Sequence, residues 1–443
     1  MTIYALSSGS GTSGIAVIRV SGPETKNVVV SIIKGKFPKP RFATYKKFYS
    51  PETKDVIDEG VVLWFPKPNS YTGEDMAEFH VHGSRAVIDA IHKCISNINN
   101  CRLAEPGEFT KIAFQNGKIN LLKAESISDL IASETEIQRH QAIKLMSGVS
   151  ALKFNELREK LIKILSNIEA KIDFPEEELP NDIVSKIKEE SKNIRYEIKK
   201  ILNDQKVGEK IREGFKIAII GPPNVGKSSL LNYLSKRDVA IVSEIAGTTR
   251  DVIETHLNLD GYPVIISDTA GIRDSNDEIE KKGIKLALKK AEEADLKIIL
   301  LDPKSTDFKG FLDDLADDKT LIVVNKSDLQ IKNIVKEINK YNPLYISIKD
   351  EVNLDSLINK IKEILKDKFL DSENVLISRS RHRENLKQCV MHLENFEEKN
   401  SSEDFDKAAE DLRLATRHLG MIVGKVDVEE ILGSIFNDFC IGK

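Results

Sequence analysis

Gly221-Pro222-Pro223-Asn224-Val225-Gly226-Lys227-Ser228 satisfies the pattern G-x-x-x-x-G-K-[ST] at every position. The apolar run Ile217-Ala218-Ile219-Ile220 before it reads as a buried parallel strand, and Ser228-Ser229-Leu230-Leu231-Asn232-Tyr233-Leu234 after it as the first turns of a helix. Glycines at the loop ends let backbone amides turn toward an anion, and the helix N-terminus adds partial positive charge. Lys227 can reach the outer phosphates of a nucleotide, and the Ser228 hydroxyl can ligate magnesium. Asn224, Val225, Gly226, Lys227, Ser228 and Ser229 are therefore the phosphate-binding candidates. A tight turn without a ligand satisfies the same pattern less well, because the pattern falls between a strand and a helix.

The chain downstream selects the base. Val264-Ile265-Ile266-Ser267 reads as a second strand, ending in Asp268-Thr269-Ala270-Gly271. A carboxylate there can hold magnesium through water, and the glycine amide can approach a terminal phosphate. Leu321-Ile322-Val323-Val324 ends in Asn325-Lys326-Ser327-Asp328, an N-K-x-D quartet. The Asp328 carboxylate can accept from both the ring N–H and the exocyclic amine of guanine, an arrangement adenine lacks; a site that leaves such a buried carboxylate unpaired rejects the wrong base by about 10⁴-fold. The Lys326 stem would lie along the base plane. Ser347-Ile348-Lys349, after the strand Leu344-Tyr345-Ile346, can complete the pocket with backbone amides. Gly247-Thr248-Thr249-Arg250-Asp251 reads as a mobile threonine switch. In this order the elements imply GTP with Mg2+.

Many small GTPases carry a glutamine directly after D-T-A-G to orient water, but here that position is Ile272. Asn224, with backbone carbonyls of Ser243-Glu244-Ile245-Ala246, can instead hold a monovalent cation such as K+ against the phosphates. The metal-ligating candidates are Ser228 with a switch hydroxyl, Thr248 or Thr249, and Asn224 with Ser243 and Ile245. Asp277, Glu278 and Glu280 are candidates to orient water, though carboxylates in this pattern also suit a solvated helix start.

The 443 residues exceed one core, so three domains are expected, one of them assembled from separated segments. With 66 basic against 70 acidic side chains, bulk charge does not point to a protein that coats nucleic acid. Cys94, Cys101, Cys389 and Cys440 form no C-x-x-C, which argues against zinc and for a reducing compartment. No signal peptide is visible, and no apolar stretch reaches the ~18 residues that span a bilayer, so a cytoplasmic protein without membrane partners is expected.

Residues 1–117 look mixed α/β, with strands at Gly14–Gly22, Val61–Pro66 and Met76–Gly83 and a helix at Ser84–Ile98. From about Asn120 the apolar spacing turns helical and is broken only at Asp173-Phe174-Pro175-Glu176-Glu177-Glu178-Leu179-Pro180. After the nucleotide domain, amphipathic helical segments resume around Arg383–Phe396, Phe405–Leu419 and Val428–Phe436. The expected architecture is multidomain. An α/β N-terminal domain (1–117) is followed by an all-α helical domain in two segments (118–213 and 371–443), into which a Ras-like P-loop α/β GTPase domain (214–370) is inserted. A chain end such as Phe439-Cys440-Ile441-Gly442-Lys443 is usually frayed, and a cysteine there is more often a partly buried thiol than a nucleophile. Gly442 and Lys443 do not suit prenylation of Cys440.

Taken together, the chain resembles the MnmE (TrmE) family of tRNA uridine-5-carboxymethylaminomethyl modification GTPases. The resemblance rests on Ile18-Arg19-Val20-Ser21-Gly22, Tyr71-Thr72-Gly73-Glu74-Asp75, Pro106-Gly107-Glu108-Phe109-Thr110, Ala124-Glu125-Ser126-Ile127, Ile172-Asp173-Phe174-Pro175-Glu176-Glu177, the GTPase motifs and Cys440-Ile441-Gly442-Lys443. The D-F-P-E-E and C-I-G-K segments are its most specific parts. The resemblance implies an N-terminal domain that binds folate and dimerises, and a partner from the FAD-dependent glucose-inhibited division protein family. It implies modification of carbon 5 of wobble uridine in tRNA with a one-carbon unit from 5-formyltetrahydrofolate or a related tetrahydrofolate. It also implies potassium-dependent pairing of GTPase domains, which favours Asn224 as a cation ligand and Glu280 as the water-orienting residue, with Arg273 secondary. Its folate positions fall on Arg19, Glu78, Lys118 and Lys443, and Cys440 matches a family cysteine, which implies a part in the modification chemistry. Two departures stand out: Ser7–Gly14 is Gly/Ser-rich where the family usually has Thr-Pro before its glycines, and Ile348 stands where alanine is commoner.

A potassium-dependent GTPase switch acting in ribosome assembly is the alternative reading; it has no need of Cys440 or the folate positions. A self-assembling, dynamin-like GTPase is a third, without a visible membrane-binding stretch.

Overall fold

The computed structural model describes residues 1–9, 11–173, 183–222, 224–237, 254–268, 289–303, 316–329, 338, 341–369, 375–399, 405–426, 432, 435–436 and 439–442. These fall into two compact units, one comprising Met1–Ser128, Leu145–Ile194 and Gln388–Lys443, the other Asp129–Lys144 and Arg195–Lys387.

The first unit begins with a six-stranded sheet. Its strands are β1 (Thr2–Leu6), β2 (Ser13–Ser21), β3 (Thr44–Tyr49), β4 (Val56–Phe65), β5 (Met76–Gly83) and β6 (Cys101–Leu103), in the order β3-β4-β5-β2-β1-β6. Only β6 pairs parallel. Strand alternation decides the faces: Ala16, Ile18 and Val20 of β2 and Phe79 and Val81 of β5 enter a core with α1 (Thr25–Ile32) and α2 (Arg85–Ser96). Arg19 and Glu78 lie on the opposite face in direct register. The Ser84 hydroxyl accepts from the Val87 N–H and starts α2. A further helix, α3 (Glu108–Gln115), follows β6.

From Leu121 the chain is helical through α4 (Leu121–Ile131), α5 (Glu136–Met146), α6 (Val149–Asp173), α7 (Ile183–Leu202) and α8 (Val207–Glu213). The expected unbroken run ahead of Asp173 fails twice. At Thr135 a capping box opens α5: the Thr135 hydroxyl accepts from the Gln138 N–H at 3.4 Å, and Gln138 Oε1 accepts from the Thr135 N–H at 3.0 Å. Gly148, with φ 96°, then separates α5 from α6 in a left-handed conformation that only glycine adopts cheaply.

The second unit carries the nucleotide-type sheet. It comprises β7 (Phe215–Ile220), β8 (Glu254–Leu259), β9 (Tyr262–Asp268), β10 (Leu296–Leu301), β11 (Thr320–Val324) and β12 (Leu344–Tyr345), ordered β12-β11-β10-β7-β9-β8, with only β8 antiparallel. Parallel strands covered on both faces read as continuous apolar runs. Accordingly Ile217, Ile219, Ile298, Leu300 and Val323 pack one way, against α9 (Lys227–Arg237) and α10 (Leu354–Lys368). Ala218, Ile220, Ile299, Leu301 and Val324 pack the other way. β8 and β10 are not among the strands expected from sequence, although Leu296-Lys297-Ile298-Ile299-Leu300-Leu301 becomes the strand between β7 and β11.

Two helices follow, α11 (Ser380–Glu398) and α12 (Phe405–Val423). Within the first unit α12 packs along α6, so the helical segments before and after the nucleotide sheet meet, as the expected two-segment helical domain requires. Arg413 Nε donates to Glu169 at 2.9 Å across that pair. The expected helix around Val428–Phe436 lies mostly outside the described residues, although Leu432, Ile435 and Phe436 pack with Leu121 and Ala124. Among the described residues no helix is long and apolar enough to cross a membrane.

Candidate functional site

The phosphate loop leaves β7 at Gly221, where a Cβ would stand 2.1 Å from the Leu300 carbonyl oxygen; only glycine allows β10 so close. Asn224 turns left-handed (φ 61°), as does Gly226 (φ 104°), and these two turns bring the loop round to the N-terminus of α9. Lys227 Nζ donates to the Gly221 and Pro222 carbonyls at 2.7 and 2.8 Å, which holds its ammonium over the loop. Ser228 and Ser229 are exposed in the first turn of α9.

The N-K-x-D segment joins this loop through side chains. Asn325 Nδ2 donates to the Val225 carbonyl at 2.8 Å, and its Oδ1 accepts from the Ile348 N–H at 3.1 Å. One buried amide thereby ties the phosphate loop, the end of β11 and the Ser347–Lys349 turn together. Lys326 Nζ donates to the Asn224 carbonyl at 2.8 Å and pairs with Asp302 at 2.8 Å. Asp328 Oδ1 accepts from the Ser347 hydroxyl at 2.9 Å. Asp328 stands exposed at a strand end. Lys349 is exposed on the same turn.

The structure therefore brings together Asn224, Val225, Gly226, Lys227, Asn325, Lys326, Asp328, Ser347 and Ile348. Asp268 ends β9, the strand end at which the sequence places it. Ser243, Ile245, Thr248, Thr249, Thr269, Ala270, Gly271, Arg273, Glu280 and Lys443 lie outside the described residues. Asp302 was missed by sequence reasoning. Its signal was the apolar run of β10 ending in Asp302-Pro303.

A second cluster forms in the first unit. Arg19 Nε donates to Glu78 Oε1 at 3.0 Å, and its guanidinium lies 5.6 Å from the Tyr71 ring centre and 5.7 Å from that of Phe109. Burial alone would raise the Glu78 carboxyl, but His80 and the Arg19 guanidinium beside it hold its pKa below the ordinary glutamate value. The Tyr71 hydroxyl, hydrogen-bonded to Thr110 at 2.8 Å, is pushed up by burial. The Lys118 ammonium donates to the Pro68 carbonyl at 2.9 Å, and its stem passes beside Gly73. Tyr71 and Phe109 stand inside motifs already singled out, and only packing shows that both rings serve Arg19.

The segment Cys440–Gly442 docks here rather than fraying. The Ser7 hydroxyl donates to the Gly442 carbonyl at 2.8 Å, Arg19 Nη1 reaches the same oxygen at 3.5 Å, and Ile441 bridges Pro106. Gly442 (φ 98°) would place a Cβ 2.1 Å from the Leu6 carbonyl, so the docked backbone requires glycine. The Cys440 thiol remains exposed beside this anchor.

A nucleotide-type α/β sheet with these strand-end motifs, set between helical segments and joined to a separate α/β N-terminal sheet, defines a multidomain P-loop protein. The model for the GTP-binding protein TrmE N-terminus matches residues 2–118, and that for the MnmE helical domain matches residues 121–440. The tRNA modification GTPase MnmE of Pelagibacter ubique (strain HTCC1062) is 69% identical over 443 residues, covering 100% of both chains. That of Rickettsia bellii (strain RML369-C) is 46% identical over 447 residues, again covering 100% of both. A crystal structure of Aquifex aeolicus Era bound to GDP and aluminium fluoride aligns over 33% of this chain and 55% of its own, with 29% identity and a TM-score of 0.27. The chain belongs to the MnmE family of tRNA modification GTPases.

Proposed function

We propose that this chain hydrolyses GTP and couples the hydrolysis to modification of carbon 5 of wobble uridine in tRNA, adding a carboxymethylaminomethyl-type or aminomethyl-type group. The observation that carries the GTP reading is Asn325, which bonds the phosphate loop with one side-chain atom and the base-side turn with the other. Phosphate and guanine recognition are thereby held as one rigid cradle. The near-full-length likeness to MnmE relatives supports the coupling to tRNA modification.

The residues suit the groups this reading needs. A backbone loop turned by Asn224 and Gly226, with the Lys227 ammonium over it, matches a triphosphate. Ser228, and in the proposal Thr249, Thr248 and Asp268, offer the hard oxygen ligands that magnesium prefers. Asn224 with the backbone of Ser243 and Ile245 suits potassium. Bound there, the two cations supply charge neutralisation of the developing phosphate oxyanions. Lys227 orients the outer phosphates, while Glu280, with Arg273 secondary, positions the attacking water. Thr269, Ala270, Gly271, Ser229, Val225 and Lys349 complete the walls.

Arg19 and Glu78 form an ion pair held beside the partly buried Tyr71 ring, with Phe109 buried behind it, an arrangement suited to the polar heteroaromatic ring of a tetrahydrofolate. Folate, when bound, supplies the one-carbon unit. Lys118 and Lys443 would meet its carboxylates, and Cys440 stands exposed where Gly442 is anchored to Arg19. The proposal includes a homodimer in the cytoplasm, domain limits at 117, 213 and 370, and an FAD-dependent partner of the glucose-inhibited division protein family. Nucleoside analysis of tRNA from a deletion strain tests it: loss of the modified wobble uridine is expected. An unchanged profile, with no paralogue present, refutes the coupling to tRNA.

A further inference from the structure

Asp302 lies outside every motif that recognises nucleotide, at the end of β10. Yet it is 8% exposed and its Oδ2 stands 2.8 Å from Lys326 Nζ. The same ammonium donates to the Asn224 carbonyl at 2.8 Å. Lys326 and the Asn224 it binds are both left-handed, with φ 59° and 61°. Such conformations cost about 1 kcal/mol or more in a side-chain-bearing residue and persist only where surrounding bonds over-determine them. Here the bonds are charge-assisted. The ammonium bridges the base-side loop and the phosphate loop, and the carboxylate fixes where the ammonium points.

We propose that Asp302 is a positioning residue for guanine-nucleotide binding. It locks Lys326 so that its stem presents a flat platform beside Asp328 and its head clamps the phosphate loop at Asn224. This deepens the GTP reading above and rests on it. Without Asp302 the ammonium is free to leave the Asn224 carbonyl for water, and both left-handed turns lose their shared restraint. Base recognition and phosphate-loop shape are then loosened together, through Lys326. A neighbouring strand end reading the same lysine also explains why β10 must terminate in an acid at this point.

The test is a double-mutant cycle read by GDP affinity with a fluorescent nucleotide, on the full chain. Asp302→Ala is expected to weaken GDP binding by about tenfold or more, the loss of one charge-assisted hydrogen bond. Asp302→Asn, which keeps an acceptor but not the charge, falls between. In the Lys326→Ala background the Asp302→Ala effect should shrink to less than about twofold, because the clamp is already gone. A merely structural Asp302 would lower the melting temperature in both backgrounds and leave the two affinity losses additive, which would overturn the inference. Equal GDP affinity in the parent chain and folded Asp302→Ala would overturn it too. Failure of the parent chain itself to bind GDP would instead overturn the GTP reading, and the inference with it.

Discussion

Asp328→Asn lowers affinity for GTP by about 10³-fold and raises affinity for xanthosine triphosphate. The carboxylate accepts from two guanine donors, the ring N–H and the exocyclic amine. An amide turned toward the base offers one acceptor and one donor, and its donor faces the guanine amine. Xanthine presents a carbonyl where guanine presents that amine, so the amide complements it. The geometry sets the size of the effect. Asp328 Oδ1 already accepts from the Ser347 hydroxyl at 2.9 Å, which restrains the carboxylate's rotation. Exchanging one acceptor for a donor that faces the guanine amine removes one hydrogen bond and sets two donors against each other, and a loss of about 10³ follows. Competition binding with the two nucleotides measures the switch. Unchanged preference for guanine in the folded variant would remove Asp328 from the base site.

Asn224→Ala abolishes the advantage of potassium over sodium in GTP hydrolysis. In the parent chain hydrolysis is expected to run about 10²-fold faster in potassium, the scale of one preorganised electrostatic stabiliser at a developing oxyanion. The side chain at 224 would supply one cation ligand, and the left-handed backbone there (φ 61°) aims it. Alanine tolerates that conformation poorly, so a loss could also come from a distorted loop. Asn224→Gly separates the two causes, since glycine keeps the backbone and removes the ligand. Equal loss of potassium dependence in both variants supports the ligand role. Potassium activation retained by Asn224→Gly, or equal rates in both salts for the parent chain, refutes it.

The parts of this molecule that were legible in the sequence are those where a local rule meets a chemical requirement. Gly221–Ser228 needed a strand before it and a helix after it, and β7 and α9 stand there. Met76–Gly83 alternates cleanly and is β5, and Ser84 caps α2 as a serine before an apolar-periodic run should. What was not legible depends on partners distant in sequence. β8 (Glu254–Leu259) buries only Leu257 and Leu259 and gains its order from pairing with β9, so its period is too short to stand out in the sequence. β10 is apolar throughout, a pattern that a short buried helix shares. Asp302 acquires a role only when β10 lies beside β7 and β11, since its partner Lys326 is far along the chain. The docking of Gly442 on Ser7 and Arg19 spans almost the whole sequence, and no local pattern announces it. Asp328 shows the converse: its motif was plain, but its exposure is a property of the fold.

The central claim is that the loop at Gly221–Ser228 and the quartet at Asn325–Asp328 form one guanine-nucleotide site. Calorimetric titration of the purified chain with GDP and with ADP, each with magnesium, tests it most directly. The account predicts saturable one-to-one binding of GDP and no measurable binding of ADP. Indifference to both nucleotides, or equal affinity for the two, would contradict it.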